Sequence, residues 1–145
     1  MGRKQTLKIT VDALMTLALL MLMAYELIGQ TTHEITGTAM LLLFLVHHLL
    51  NRSWHKKLFR GRYSPYRVFQ TALVAAIFLL MVGQGVSGVM LSRHLFTFLP
   101  IQGGAYWARG LHMLGAYWNF VLMSLHLGLH WSMVLPPLGK AFRGK

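Results

Sequence analysis

Two matched stretches of sequence decide the fold: HEITGTAMLLLFLVH at residues 33–47 and HMLGAYWNFVLMSLH at residues 112–126. Each is largely apolar and begins and ends with a histidine, so that its two histidines stand 14 residues apart. In an α-helix this separation is about 21 Å along the axis and about 40° short of four full turns, so both imidazoles stay on one face. The stretches therefore predict two helices, each with histidines at two depths.

The composition around these stretches is typical of a membrane protein. The 145 residues are 55% hydrophobic with a formal net charge of +11, and the mean hydropathy is +0.52. Such a chain is too apolar for a soluble domain or a disordered basic tail. Its basic residues separate apolar segments and form no continuous face, which argues against nucleic-acid binding. The absence of cysteine excludes disulfides, iron–sulfur clusters and a covalently attached c-type haem.

Four apolar segments are long enough to cross the ~30 Å hydrocarbon layer as helices. They cover residues 9–28, 33–50, 68–91 and 110–135. The connection at residues 29–32 reads as a tight turn, and Pro100 with the following glycine pair interrupts the third connection. The sequence predicts an all-α membrane protein, a single four-helix transmembrane bundle in contact with lipid.

The basic residues predict the direction of the helices. Twelve Lys and Arg residues lie in the N-terminal segment, the second connection and the C-terminal tail, whereas the other two connections hold only Arg93 and Arg109. Because positive charge is retained on the cytoplasmic side, both termini are predicted to be cytoplasmic. The second and fourth spans then run in parallel, and their histidines face each other at two levels.

A buried imidazole in lipid needs a partner for its polar atoms. A haem iron can accept one imidazole nitrogen from each of two facing helices. We therefore predict two haem b groups, an outer one ligated by His33 and His112 and an inner one by His47 and His126. The alternatives are a histidine-lined metal permease and a structural membrane anchor. A permease would favour carboxylates along its path, and the chain has only three acids.

The other histidines are candidates for smaller roles. His48 points about 100° away from His47, and His130 lies deeper than the level of His47, so both are alternative ligands or haem-edge contacts. His94 at the end of the third span is a candidate propionate or substrate contact, with Arg93 as a propionate partner. His55 is expected to be solvated.

Glycines next to the predicted ligands could admit a macrocycle edge. Gly37 is one turn below His33, and Gly115 follows His112. A missing side chain lets a flat cofactor approach the backbone, although small residues also serve helix packing in membranes. We predict haem packing at both positions.

Several motifs resemble the small bacterial flavinylation-associated cytochromes. They are His33-Glu34, the run HHLLNRSW at residues 47–54, Ser92-Arg93-His94, and the pair His112 and His126. These proteins are similar in turn to the two-haem membrane cytochrome b superfamily, which includes the cytochrome b subunits of formate dehydrogenase and nickel–iron hydrogenase. Larger relatives can take a ligand from the first helix, but the first span here has no histidine.

The resemblance implies an electron carrier in a bacterial cytoplasmic (inner) membrane. Such a carrier would link a quinone or quinol pool to an extracytoplasmic redox partner, often a flavoprotein. It would be an electron-transfer subunit of an oxidoreductase rather than a free-standing enzyme. Two histidines per iron leave no open coordination position, which favours electron transfer over oxygen chemistry. The alternative within this class is a superoxide or quinone oxidoreductase acting at the outer face.

Overall fold

The computed structural model describes residues 2–58, 60–101 and 103–131, which form five α-helices and contain no β-strand. The helices are α1 (Arg3–Met23), α2 (Tyr25–Leu50), α3 (Arg52–Lys57), α4 (Pro65–Leu91) and α5 (Ala105–Leu129). The predicted all-α class is confirmed. Three of these helices, α1, α2 and α4, are long and apolar enough to cross a membrane.

Helix α5 covers most of the predicted fourth span but is not among these three candidates. Its sequence is interrupted by polar residues, among them His112, Asn119 and His126. Residues 132–135, with which the predicted span ends, lie outside the described residues. A fourth membrane crossing and the cytoplasmic termini therefore stay predictions.

The first reversal of the chain lies at Gly29, where the sequence indicated it. Gly29 interrupts the stretch assigned to α2 with φ 73° and ψ 171°. The contacting pairs Lys8–Asn51 and Asp12–His47 are both centred on residues 29 and 30, which is where the chain turns back. The predicted turn at residues 29–32 is thus confirmed at its first residue, although residues 30–32 are already helical. Only the glycine adopts a left-handed φ, which costs a residue without Cβ little.

The starts of α4 and α5 follow local sequence signals. Ser64 caps α4 by accepting a hydrogen bond from the Arg67 N–H at 3.3 Å, and Pro65 occupies the first turn. Gly103 and Gly104, with φ of 83° and 73°, precede α5. The predicted interruption at this glycine pair is confirmed.

The four long helices pack as two hairpins, α1 along α2 and α4 along α5. The hairpins join through contacts of α2 with α4 and of α1 with α5. This order around the assembly places α2 and α5 diagonally opposite each other. In an up-and-down arrangement diagonal helices run in the same direction, as the matched histidine spacing requires.

A small apolar core fills the middle of the assembly. Its buried members come from α1, α2 and α4: Ala18, Met40, Phe44, Leu73, Ile77 and Met81. Partly buried Leu122 and Met123 of α5 pack against it. Many apolar side chains point outward instead, as Leu27 and Leu79 do with exposed fractions of 88% and 71%. An apolar exterior of this kind suits contact with lipid.

Candidate functional site

The structure brings His33 of α2 and His112 of α5 together across the assembly. Their ring centroids are 6.0 Å apart, and the ring planes are inclined by 70°. From position 33 to position 112 the two residues are 79 positions apart in sequence. Only the diagonal packing of α2 and α5 makes this contact possible. We call His33 and His112 the outer pair.

Ser87 of α4 fixes the tautomer of His112. The Ser87 side chain is fully buried, and its hydroxyl lies 2.7 Å from the Gly83 carbonyl oxygen and 3.0 Å from His112 Nδ1. A hydroxyl has one proton, and the short bond to the Gly83 carbonyl uses it. His112 Nδ1–H therefore donates to Ser87 Oγ, which leaves the lone pair of the neutral ring on Nε2.

His33 has an unsatisfied polar atom. Its Nδ1 is buried and has no hydrogen-bond partner among the described residues. The Tyr25 ring covers its other side edge-on, with centroids 5.1 Å apart, because the break at Gly29 folds the first turn of α2 back toward His33. A buried nitrogen without a partner costs about 1 to 3 kcal/mol, so this position is suited to a ligand.

Glu34 ties α2 to the segment that follows α4. Its carboxylate accepts hydrogen bonds from the Ser92 hydroxyl at 2.7 Å and from three backbone N–H groups, those of Arg93, His94 and Leu95, at 2.9 to 3.1 Å. The Arg93 and His94 side chains are exposed. Both residues therefore meet Glu34 through their backbones, and the structure does not direct their side chains toward the outer pair.

Asp12 of α1 binds His47 of α2 at the other level. Asp12 Oδ1 and His47 Nδ1 are 2.8 Å apart, in side chains that are 43% and 27% exposed. An ionised carboxylate can only accept, so His47 Nδ1–H donates and Nε2 is left for another partner. Carboxylate–imidazole pairs of this kind commonly orient a metal-binding histidine. We call Asp12, His47, His126 and His130 the inner cluster.

His126 and His130 complete the inner cluster from the end of α5. Their rings contact each other with centroids 4.8 Å apart. Both rings are near enough to His47 and Asp12 for their charges to interact. The structure thus brings the predicted inner ligands to one level, and it leaves the choice between His126 and His130 open.

His48 lies beside the inner cluster and packs against α4; its ring centroid is 5.7 Å from that of His47. Its ring packs edge-on against Phe44 and Phe78, at centroid distances of 4.4 and 5.3 Å. His48 Nδ1 and His55 Nε2 are 3.0 Å apart. His55 is partly exposed, and from α3 its ring also contacts His48, so the expectation that it is solvated holds only in part.

The predicted packing glycines face protein side chains. A Cβ on Gly37 would be 3.8 Å from Leu22 of α1, and one on Gly115 would clash with the amide of Gln84. The Gln84 amide donates to the His112 carbonyl oxygen at 2.8 Å. In the structure both glycines thus serve contacts between helices, because a neighbouring side chain occupies the space expected for a macrocycle edge.

Asn119 lies midway between the histidines of α5. It is seven residues from each, which is about 10 Å along the helix and close to the same face. Asn119 is 3% exposed, and its amide oxygen and nitrogen both lack partners among the described residues. A buried amide with no protein partner suits a polar group from outside the chain, such as water or a cofactor substituent.

Three residues of the site were not predicted from the sequence: Asp12, Ser87 and Asn119. Asp12 carried a usable signal, because an acid within an apolar span needs a polar partner. Ser87 carried none, since serine is common in membrane helices and only tertiary packing buries it here. The amide of Asn119 within an apolar span carried a weaker form of the signal of Asp12, because it too needs a polar partner.

The described residues contain no group of three or more His, Cys, Asp or Glu side chains arranged to hold a metal ion. A cofactor that brings its own equatorial ligands needs only two protein ligands, and the outer pair offers two. Comparisons with protein-family models, with curated proteins and with solved structures find no match to this chain.

Proposed function

We propose that this chain is a transmembrane electron-transfer protein that binds two haem b groups. The outer pair would hold one group, and His47 with His126 would hold the other. The proposal includes four membrane crossings with both termini cytoplasmic, in a bacterial cytoplasmic membrane. The electrons would pass between a quinone pool and an extracytoplasmic partner such as a flavoprotein.

The separation of His33 and His112 is the observation that carries the proposal. A metal–imidazole bond is about 2.0 to 2.1 Å long, so two axial rings on one metal stand with their centroids about 6 Å apart. The 6.0 Å between these rings has that size. The unpartnered Nδ1 of His33 supports the same interpretation, because it indicates an imidazole without its full set of partners.

The hydrogen bonds behind the histidines also support the proposal. Ser87 and Asp12 each hold the Nδ1 proton of an imidazole and leave the Nε2 lone pair for a metal. Such contacts fix the tautomer and the ring orientation, as is usual for metal-binding histidines. The same arrangement occurs at both levels, on two parallel helices.

The chain has defined tasks in the electron transfer. Bound haem would supply one-electron redox chemistry. The histidines would fix its position and, as two ligands per iron, leave no open site for oxygen. The two levels, about 21 Å apart along α2, would divide the membrane thickness into shorter electron-transfer steps. The core around Met40 and Phe44 would keep water from the space between them.

The test is a measurement of haem content. The full chain, expressed with ample haem and purified in detergent, is expected to give a reduced-minus-oxidised spectrum of b type and two haems per chain by the pyridine haemochrome assay. A protein that is folded and helical but binds no haem under these conditions would overturn the proposal. A reporter fused after Lys145 tests the orientation, and it is expected to act as cytoplasmic.

A further inference from the structure

A basic pocket lies where α1 begins and α2 ends, at the opposite end of the assembly from the outer pair. It has a volume of about 430 Å³ and is lined by Lys4, Gln5, Lys8, Leu50, Arg52 and Ser53. Three of these six residues are cations, and the pocket has no acidic lining residue. The lining comes from two helices that are apolar enough to span a membrane and from the start of α3.

The acids of the chain do not neutralise this pocket. The chain has only three acidic residues. Asp12 binds His47, and Glu34 binds the backbone after α4. Glu26 lies at the start of α2, the end that is remote from the pocket. Lys8 Nζ donates to the neutral side-chain oxygen of Asn51 at 2.9 Å. Among the described residues none of the three cations lies within ion-pair distance of a carboxylate, so this part of the chain leaves the pocket open to an anion from another molecule.

The position of the pocket identifies the kind of molecule. It lies at the ends of apolar helices, where phospholipid headgroups meet a membrane protein. Leu7 and Leu49, next in sequence to lining residues, are 49% and 70% exposed and offer an apolar surface beside the cations. An anion with an attached acyl chain would contact both the cations and this apolar surface, whereas free phosphate would contact only the cations.

We propose that this pocket binds the phosphate of an anionic phospholipid. Basic pockets between membrane helices on the cytoplasmic side are suited to anionic headgroups, and each Lys or Arg near an anionic surface contributes about a fivefold gain in affinity. The proposal does not depend on haem, since the lining residues are separate from the outer pair and the inner cluster.

The test measures lipid binding to the delipidated full chain by native mass spectrometry. We expect phosphatidylglycerol to bind more tightly than phosphatidylcholine of the same acyl chains. The double variant Lys4→Gln/Arg52→Gln is expected to weaken phosphatidylglycerol binding about 25-fold, from about fivefold per cation, and to leave phosphatidylcholine binding unchanged. Lys8 is kept because its bond to Asn51 contributes to the fold.

The matched control is Lys56→Gln/Lys57→Gln, which removes two exposed cations at the same end but outside the pocket. It is expected to bind phosphatidylglycerol within about twofold of the unchanged chain. Equal loss in both double variants, or no preference over phosphatidylcholine, would overturn the proposal. Inorganic phosphate that displaces phosphatidylglycerol at equal concentration would overturn the assignment to lipid. Helical content measured by circular dichroism verifies that each variant is folded.

Discussion

The outer pair and the inner cluster repeat the same sequence spacing in different surroundings. At the outer pair, a fully buried serine, Ser87, gives the partly buried His112 a neutral hydroxyl acceptor. At the inner cluster, Asp12 gives His47 a carboxylate acceptor, and both side chains are partly exposed. The 14-residue spacing thus sets the depth of each histidine, while the neighbouring helices α1 and α4 set its electrostatics.

This difference has a consequence for the proposed electron transfer. A carboxylate acceptor raises the basicity of an imidazole more than a hydroxyl does, and a more basic ligand stabilises the oxidised metal. The group at the inner cluster is therefore expected to have a lower reduction potential than the group at the outer pair. Electrons would then move downhill from the inner level to the outer level.

Substitution of a predicted ligand is expected to have the largest effect, and it distinguishes the outer level from the inner level. His33→Ala and His112→Ala are each expected to lose one of the two haems, and His47→Ala and His126→Ala are expected to lose the other, because a haem with one axial histidine is held weakly. The haem-to-protein ratio should fall by half in each single variant. A double variant with one ligand substitution at each level should bind no haem.

His48→Ala and His130→Ala are the matched controls. The His48 ring packs against Phe44 and Phe78 and is not a predicted ligand, so both haems should remain in that variant. If His130→Ala removes a haem and His126→Ala does not, the inner ligand is His130, and the depth argument that selected His126 is wrong.

The second prediction concerns the acceptors behind the ligands. Asp12→Asn keeps the size of the side chain but removes its charge, and it is expected to raise the midpoint potential of one haem while leaving the other unchanged. Ser87→Ala is the control at the outer pair, where a smaller shift is expected because the lost acceptor is neutral. Potentiometric titration followed by visible spectra resolves the two transitions. Equal shifts of both haems in Asp12→Asn would contradict the comparison.

The sequence predicted what is local to single helices. The 3.6-residue period fixes which residues share a face, so His33 and His47, or His112 and His126, could be assigned to two depths without knowledge of packing. The contact of the outer pair followed from one further assumption, that α2 and α5 are parallel. The start of α5 after Gly103 and Gly104 followed from turn chemistry.

Contacts between distant elements could not be predicted in the same way. Asp12 and His47 are 35 residues apart, and their pairing depends on how the two helices that meet at Gly29 are rotated against each other, which the sequence does not state. Ser87 is a ligand-orienting candidate only because α4 presents it to α5. His55 reaches His48 from the short helix α3, whereas the basic composition of that connection suggested a solvated loop.

The third prediction tests whether Glu34 stabilises the outer level alone. Glu34→Ala removes the acceptor of four hydrogen bonds from residues 92–95. Bonds to a charged acceptor contribute about 1.5 to 3 kcal/mol each when fully effective. Because this carboxylate is partly exposed and water can replace the partners, we expect a net loss of about 1 to 2 kcal/mol. Thermal unfolding of the haem-loaded protein measures the loss.

The location of the effect of Glu34→Ala distinguishes two roles. The outer haem should be released at a lower temperature than in the unchanged chain, and the inner haem should be released as before. Simultaneous early release of both haems would mean that Glu34 stabilises the whole assembly. Gln30→Ala is a suitable control, since it removes only the single Gln30 contact with Glu34 at 3.1 Å.

The smallest expected effect concerns Asn119, which separates the two levels. A buried amide that lacks protein partners destabilises the folded chain by about 1 to 3 kcal/mol, so Asn119→Leu is expected to raise the unfolding free energy of the haem-free protein by about 1 kcal/mol, after some loss to overpacking. Urea unfolding measures this change. In the haem-loaded protein the gain should shrink or reverse if the Asn119 amide binds a water or a cofactor group between the levels. An equal gain in both forms would show that Asn119 has no polar partner in either, and the space between the levels would then be apolar throughout.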